Sequence, residues 1–405
     1  MTSVFLLATL DTKGPEADLI RQLLVGWNVP VTLVDVGALG TPAVVADVPR
    51  ERIFELAGTS LDEIRTRSDR GEAITRAADG AVRLVRDAFA RGEVAGVLAI
   101  GGSAGTTIGT AAMRALPIGV PKVMLSTLAS GMVRQFVGDK DIFMLNSVVD
   151  ILGINRVSRP ILAQAARAMA GLVTFPEPPR SSRDAPDKPL VAATMFGVTT
   201  PCVERAKKTL EAAGYEVLVF HATGNGGRAM ESLIAEGLIA GVLDITTTEL
   251  ADEHVGGFLT AGPDRLTAAA RAGVPQVVST GAVDMVNFYA PESVPPAFKA
   301  RTFYRHNANV TLMRTTVSEN AAIGAGIARK LAAATGPVVV LLPSRGVSAI
   351  DREGQPFDDP EARRALHDAI RAGLPHGDVR ELDLHVNDAA FADAAANALI
   401  ALMRH

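Results

Sequence analysis

AGVLAIGGSAGTTIGTAAMRAL, residues 95–116, reads as a buried strand that runs directly into a glycine cluster and then a helix. In that arrangement backbone N–H groups and a helix dipole converge on one point and make an anion seat. Glycine lets backbone approach a phosphate with no Cβ in the way. Ser103, Thr106 and Thr107 add hydroxyl donors beside Gly101, Gly102, Ala104 and Gly105. The loop is neither a Walker A sequence, because the closing Gly-Lys-Ser/Thr is missing, nor a GxGxxG dinucleotide fingerprint. Its other reading is a tight strand-to-helix turn that uses glycine for geometry alone.

Outward from this stretch, strand-like runs at 4–8, 31–36, 94–100, 122–126, 190–195, 216–221, 239–245, 276–280 and 338–343 alternate with helical patterns such as 16–27 and 203–213. Such alternation predicts α/β architecture with mostly parallel sheets wound on both faces, in two related Rossmann-like domains. Hydrophobic residues make up 48% of the chain and aromatics only 4%, so Ala, Val, Leu and Ile must fill the interior. At 405 residues the chain exceeds what one core organises. Residues 174–189, TFPEPPRSSRDAPDKP, break every periodicity and concentrate proline, serine and charge. They predict an N-terminal domain over 1–178, a linker over 179–189 and a C-terminal domain over 190–405.

The second half repeats the first. Residues 4–37 and 190–224 share the order strand, threonine-bearing loop, helix, strand. VAGVLAIGGSAGTT at 94–107 pairs with IAGVLDITTTELAD at 239–252, and IGVPKVMLSTLASGMV at 118–133 pairs with AGVPQVVSTGAVDMV at 272–286. Three pairs in one order favour an internal duplication. The copies diverge at the loop, where Thr246, Thr247, Thr248 and Glu249 replace the glycines.

With 40 basic and 44 acidic side chains spread along the chain, the net charge of −4 offers no basic stripe for a nucleic acid. No apolar run reaches bilayer length, and MTSVFLLATLDTKG lacks a basic n-region, so it reads as a first strand. The expected location is the cytoplasm. Cys202 is the only cysteine, which excludes an internal disulfide and a thiolate zinc site. Its place at a helix start allows a nucleophile, but a lone cysteine is more often a small buried hydrophobe.

Open sheets bind ligands beyond the carboxyl ends of their strands, so the loop ATLDTKGPE after the first strand is a second candidate. Lys13 would neutralise phosphate charge, with Thr12 beside it. Asp11 would hold magnesium or a ribose hydroxyl, or else N-cap the helix that starts near Pro15. Ser126, Thr127 and Ser130 follow another strand of the same sheet, where their hydroxyls line the same crevice or serve as ordinary turn residues. In the second half, Asp244, Glu249, His254, Asp284 and His306 are the candidate catalytic groups, with Arg305, Arg314, Ser344, Arg345 and Ser348 on neighbouring loops. Arginine there would hold a substrate carboxylate or phosphate while a Glu/His pair moves protons or binds a divalent metal. The spacing does not match HExxH, and Asp252 and Glu253 read as solvated. The proline-rich region 290–311 is too long for a plain connector and reads as functional or as packing on another subunit.

ATLDTKGPE, DVG at 35–37, IGGSAGT, PKVMLST, GDKDIFMLNSVVDILGIN, YRHN, LLPSRGVSAID and DLHVND, taken in order, resemble the Tm-1-like ATP-binding family over essentially the whole chain. The resemblance implies a two-domain α/β protein, commonly a homodimer, whose first domain binds ATP with magnesium. It maps the phosphate-facing loop onto Gly101–Thr106 and the ATLDTK loop onto Thr9–Lys13. Two functions are consistent with this: an enzyme with ATP on the first domain and a small anionic substrate on the second or between the two, or an ATP-regulated binding protein that engages a protein partner. A metabolite sensor closing at a hinge is a third.

Overall fold

The computed structural model describes residues 2–131, 133–175 and 188–404. The chain divides into two compact units, residues 1–184 and 185–405. The linker expected over 179–189 falls mostly on residues 176–187, which lie outside the described residues.

In the first unit β1 (Ser3–Ala8), β2 (Val31–Asp35), β3 (Val94–Gly101), β4 (Lys122–Ser126) and β5 (Phe143–Asn146) form a parallel sheet ordered β2-β1-β3-β4-β5. Every residue of β1 and of β4 is buried, because helices cover both faces. Strand periodicity sorts the core: Phe5, Leu7, Val97 and Ala99 pack on helices Arg70–Ala90 and Ser103–Arg114 through Ala77, Ala81, Val85 and Ile108. Val4, Leu6, Leu98 and Ile100 face the other way, onto Ile20 and Leu24 of helix Leu10–Gly26 and Leu162 and Ala166 of helix Ser158–Thr174.

The second unit opens with β6 (Leu190–Met195), β7 (Glu216–His221), β8 (Gly241–Thr246) and β9 (Gln276–Gly281). A small antiparallel sheet ordered β10-β12-β11 follows, from β10 (Met285–Phe288), β11 (Phe303–Arg305) and β12 (Thr311–Arg314). β13 (Val338–Pro343) and β14 (Asp378–Leu382) then complete the main sheet, β14-β13-β9-β8-β6-β7. Helices Thr200–Ala212 and Ala389–Met403 cover one face and helices Val317–Ala332 and Pro360–Gly373 the other.

Read from its own first strand, the order β7-β6-β8-β9-β13 repeats β2-β1-β3-β4-β5, with β14 added. Corresponding backbone bonds recur too: Val97 N–H donates to Pro121 O at 2.8 Å and Val242 N–H to Pro275 O at 2.9 Å. The proline-rich region 290–311 is not a single irregular loop, since β11 and the start of β12 lie within it. Among the described residues no helix is long and apolar enough to cross a membrane.

Candidate functional site

In the 2-1-3-4-5 order the strand sequence reverses between β1 and β3, and a crevice opens beyond their carboxyl ends. β3 ends at Gly101, and Gly102 is the N-cap of helix Ser103–Arg114 with no side chain capping it. Two of the loop glycines serve packing. A Cβ on Gly105 would stand 2.8 Å from Ile100 O, and one on Gly101 would stand 2.8 Å from Gly105 Cα. Gly102 differs, because the nearest atom to its Cβ position is Thr127 Oγ1 at 3.6 Å. Ser103 and Thr107 are exposed and Ala104 half-buried, while Gly105 and Thr106 are buried, so the first turn meets the surface at its leading edge. Thr107 returns its hydroxyl to Ser103 O at 2.9 Å.

Thr106 and Ser126 are not on that surface. Both are fully buried, their hydroxyls lie 2.6 Å apart, and Ser126 Oγ accepts from Leu128 N–H at 2.9 Å. They lock the loop after β3 to the loop after β4, which corrects the expectation that they face a ligand. Thr127 donates its N–H to Gly101 O at 3.2 Å and leaves its hydroxyl beside Gly102.

The loop after β1 also differs from its expected form. Helix begins at Leu10, with Lys13 at non-helical φ −129°, and its N-cap is Thr9. Asp11 is therefore inside the helix and not its cap. Asp11 Oδ2 accepts the N–H groups of Leu39 at 3.2 Å and Gly40 at 3.0 Å, so this carboxylate ties down the loop after β2. Thr9 and Thr12 hydroxyls pair at 2.8 Å, and Lys13 is half-buried, its backbone N–H donating to Thr9 O at 2.8 Å and its ammonium making no hydrogen bond or ion pair among the described residues. Between these loops and the glycine-loop helix lies a cavity of about 130 Å³, bounded by Thr9, Asp11, Gly37, Leu39, Ala104 and Ile108 and closed by Arg70, Ala73 and Ile74.

Beneath it, buried Asp35 accepts from Leu10 N–H at 3.1 Å and Gly37 N–H at 2.9 Å, while its Oδ2 lies 3.9 Å from Arg50 Nε. Burial pushes the Asp35 carboxyl up, against the pull of those two N–H groups and Arg50. Asp35 Oδ2 and the Nε and Nη1 atoms of Arg50 have no hydrogen-bond partner.

At the matching place in the second unit the loop and the start of the helix are buried. All of Gly241–Leu250 is buried, including the first turn of helix Thr248–Val255. Thr199 and Thr246 hydroxyls pair at 2.8 Å across the crevice, and Thr247 donates to Ser279 O at 2.9 Å. Asp244 and Glu249, expected as catalytic groups, close instead on Arg265. Its Nη1 and Nη2 reach Asp244 at 2.6 and 2.7 Å, and its Nε reaches Glu249 Oε2 at 2.7 Å. Glu249 Oε1 accepts from Gly224 N–H at 2.6 Å and Gly227 N–H at 3.1 Å, at the start of helix Asn225–Ala235. A carboxylate from within the chain thus occupies that N-terminus. Both acids are fully buried and fully engaged, an arrangement that braces the fold and leaves neither free to move a proton.

The remaining candidates separate. His254 and His306 are exposed, one in the last turn of its helix and the other at the tip of the β11–β12 hairpin. Asp252, read as solvated, is buried: Asn287 donates its backbone N–H to Oδ1 at 2.6 Å and its Nδ2 to Oδ2 at 2.7 Å. Burial pushes its carboxyl up to about 7. Asp284 does meet Ser348 and Arg314, as the loops suggested, but in the interior. Ser348 Oγ donates to Asp284 Oδ2 at 2.8 Å, and burial followed by the charge of Asp351 pushes Asp284 up to about 7. Cys202 is buried and its thiol pushed up to about 12, so it is no nucleophile. Arg265, Asp351 and Arg363 are the residues missed. The one signal was an aspartate inside the apolar strand GVLDIT, which demands a buried counter-charge.

Fold and geometry together define a duplicated α/β protein with parallel main sheets, in which the helix after the third strand starts at the surface in one copy and is buried from its first turn in the other. The chain belongs to the UPF0261 family. Residues 2–178 match the N-terminal domain and residues 188–403 the C-terminal domain of the uncharacterised protein family (UPF0261). A UPF0261 protein of Clostridium tetani is 46% identical over 99% of this chain and 98% of its own length. The ToMV resistance protein Tm-1(GCR237) of Solanum lycopersicum is 41% identical over 98% of this chain, which spans 55% of the tomato protein. Among solved structures, a putative UDP-N-acetylglucosamine 2-epimerase from Listeria monocytogenes aligns with 69% of this chain and 79% of its own at 13% identity, with a TM-score of 0.20.

Proposed function

We propose that the first unit binds ATP with magnesium at the N-terminus of helix Ser103–Arg114. In this reading the N–H groups of Ser103, Ala104 and Gly105 take phosphate oxygens, with the Thr127 hydroxyl and Lys13 at hand for further charge. The mostly apolar slot beside Ala104 and Ile108 takes the base. Magnesium would be held chiefly through the phosphates, since no group of three His, Cys, Asp or Glu side chains sits together among the described residues. The observation that carries the reading is the contrast between the copies: neither helix start has a side-chain cap, but Ser103 is exposed and Ala104 half-buried after β3, whereas the whole first turn is buried after β8.

Gly102→Asp tests it. A Cβ at Gly102 meets nothing closer than Thr127 Oγ1 at 3.6 Å, and an aspartate at the N-cap satisfies the same N–H groups from within. The variant should fold with unchanged or higher thermal stability and lose Mg-ATP binding in calorimetric titration. Equal ATP affinity in both proteins, or no binding by the wild type, would sink the reading.

Two functions build on this binding. In one the protein is an enzyme whose second unit takes a small anionic substrate. In the other ATP regulates docking of a protein partner or a second copy, which the exposed Phe143, Val148 and Leu152 on and after edge strand β5 favour. Turnover of ATP to ADP by the purified chain belongs only to the first.

A further inference from the structure

A depression of about 750 Å³ opens in the second unit, beyond the carboxyl end of β13. Arg345, Arg352 and Arg363 reach it from three segments, with Ser344, Pro360 and His385. Arg363 is buried. It donates from Nε to Ser344 O at 3.0 Å, from Nη1 to Asp351 Oδ1 at 2.8 Å and from Nη2 to Asp358 Oδ1 at 3.4 Å. A guanidinium carries more N–H donors than these three acceptors use, and Arg363 lines the depression. Below, Arg314 and Arg363 share the one carboxylate of Asp351.

The acids of the wall are largely committed. Asp358 is held by Arg363, and Asp388 Oδ2 accepts the His385 N–H at 2.8 Å. Arg345 closes its fork on Asp383 at 2.7 and 2.6 Å. His385 Nδ1 accepts from Asn387 N–H at 3.1 Å, so Nε2 carries the proton and donates to Ser348 O at 2.8 Å. Burial holds this imidazole below its usual range, and it presents a neutral ring. Exposed Arg352 has no ion pair among the described residues, and only Glu353 beside it is a similarly uncommitted acid.

We propose that this depression binds a small oxyanion, the phosphate or carboxylate group of a metabolite, on Arg352 and the unspent donors of Arg363. Planar guanidinium groups fix both kinds of oxyanion by paired hydrogen bonds. The proposal locates the anionic substrate of the enzyme reading above and rests on that part of it, while standing apart from the nucleotide seat.

The test is calorimetric titration of the full chain carrying Gly102→Asp, so that the glycine-loop helix contributes no anion binding, with inorganic phosphate and with citrate as probes. At least one probe should bind at one site per chain, and adding Arg352→Ala should weaken it about tenfold, the loss of one charge-assisted contact. Arg352 is exposed, so this substitution leaves folding intact. Binding of phosphate alone assigns a phosphate ester, and of citrate alone a polycarboxylate. No binding of either probe, or equal binding with and without Arg352→Ala, overturns the proposal. Mg-ATP titration of the chain without Gly102→Asp reads the nucleotide seat separately, so either reading can fail alone.

Discussion

A guanidinium with no solvent contact has to be matched by carboxylates, and Arg265 is matched by Asp244 on β8 and Glu249 on the following helix. Burial alone would lower its pKa, and the charges of Asp244, Glu249 and Glu231 more than offset that. Removing one member of such a set leaves uncompensated charge in the interior. Arg265→Met should therefore cost about 3–5 kcal/mol in urea unfolding. Arg205→Ala, which breaks a surface pair with Asp393, should cost far less. Equal losses would mean that Arg265 does not brace the fold. Asp244 was conspicuous in the sequence as an acid within an apolar strand, whereas Arg265, 21 residues on, carries no local mark.

At the scale of elements, the glycine loop joins two demands in one short turn. Helix Ser103–Arg114 lies against β3 closely enough that Gly105 has no space for a side chain, while Gly102 does. Gly105→Ala must push the helix off the strand, at about 1–3 kcal/mol, and Gly102→Ala should lose less in the same denaturant titration. The reverse ranking would place the packing constraint at the wrong glycine. The sequence pattern showed strand, loop and helix here. It did not separate packing glycines from the open one, because that depends on how near Ile100 O and Thr127 come through space.

For the whole molecule, Asp252 and Asp284 of the second unit are carboxyls that ordinarily lose their protons near pH ~4 but retain them to about 7 when folded. Their folded values are raised, so the associated stability is fully present below the unfolded value and is lost as pH rises through about 7. The melting temperature should accordingly fall between about pH 5 and about pH 8. Asp252→Asn should narrow that fall. Asn287 Oδ1 is buried without a partner, and by turning its amide Asn287 can pair with the side-chain amide that this substitution introduces. An unchanged difference between the two pH values would show that Asp252 stays ionised in the fold.

Alternation of strands and helices, the repeat of residues 94–107 in 239–252 and the apolar composition determined the α/β class and the duplication, since periodicity and propensity act over neighbouring residues. Strand order, and hence the matched 2-1-3-4-5 pattern, followed only from tertiary pairing. Chemical roles divided the same way. That residues 101–107 form a loop before a helix was local. That Thr106 and Ser126 face each other, that Glu249 fills an N-terminus formed by Gly224–Gly227, and that Arg363 reaches a depression beside Arg352 were decided by long-range packing. A side chain's chemistry is set by burial and by the partner opposite it, and neither is a property of sequence neighbours.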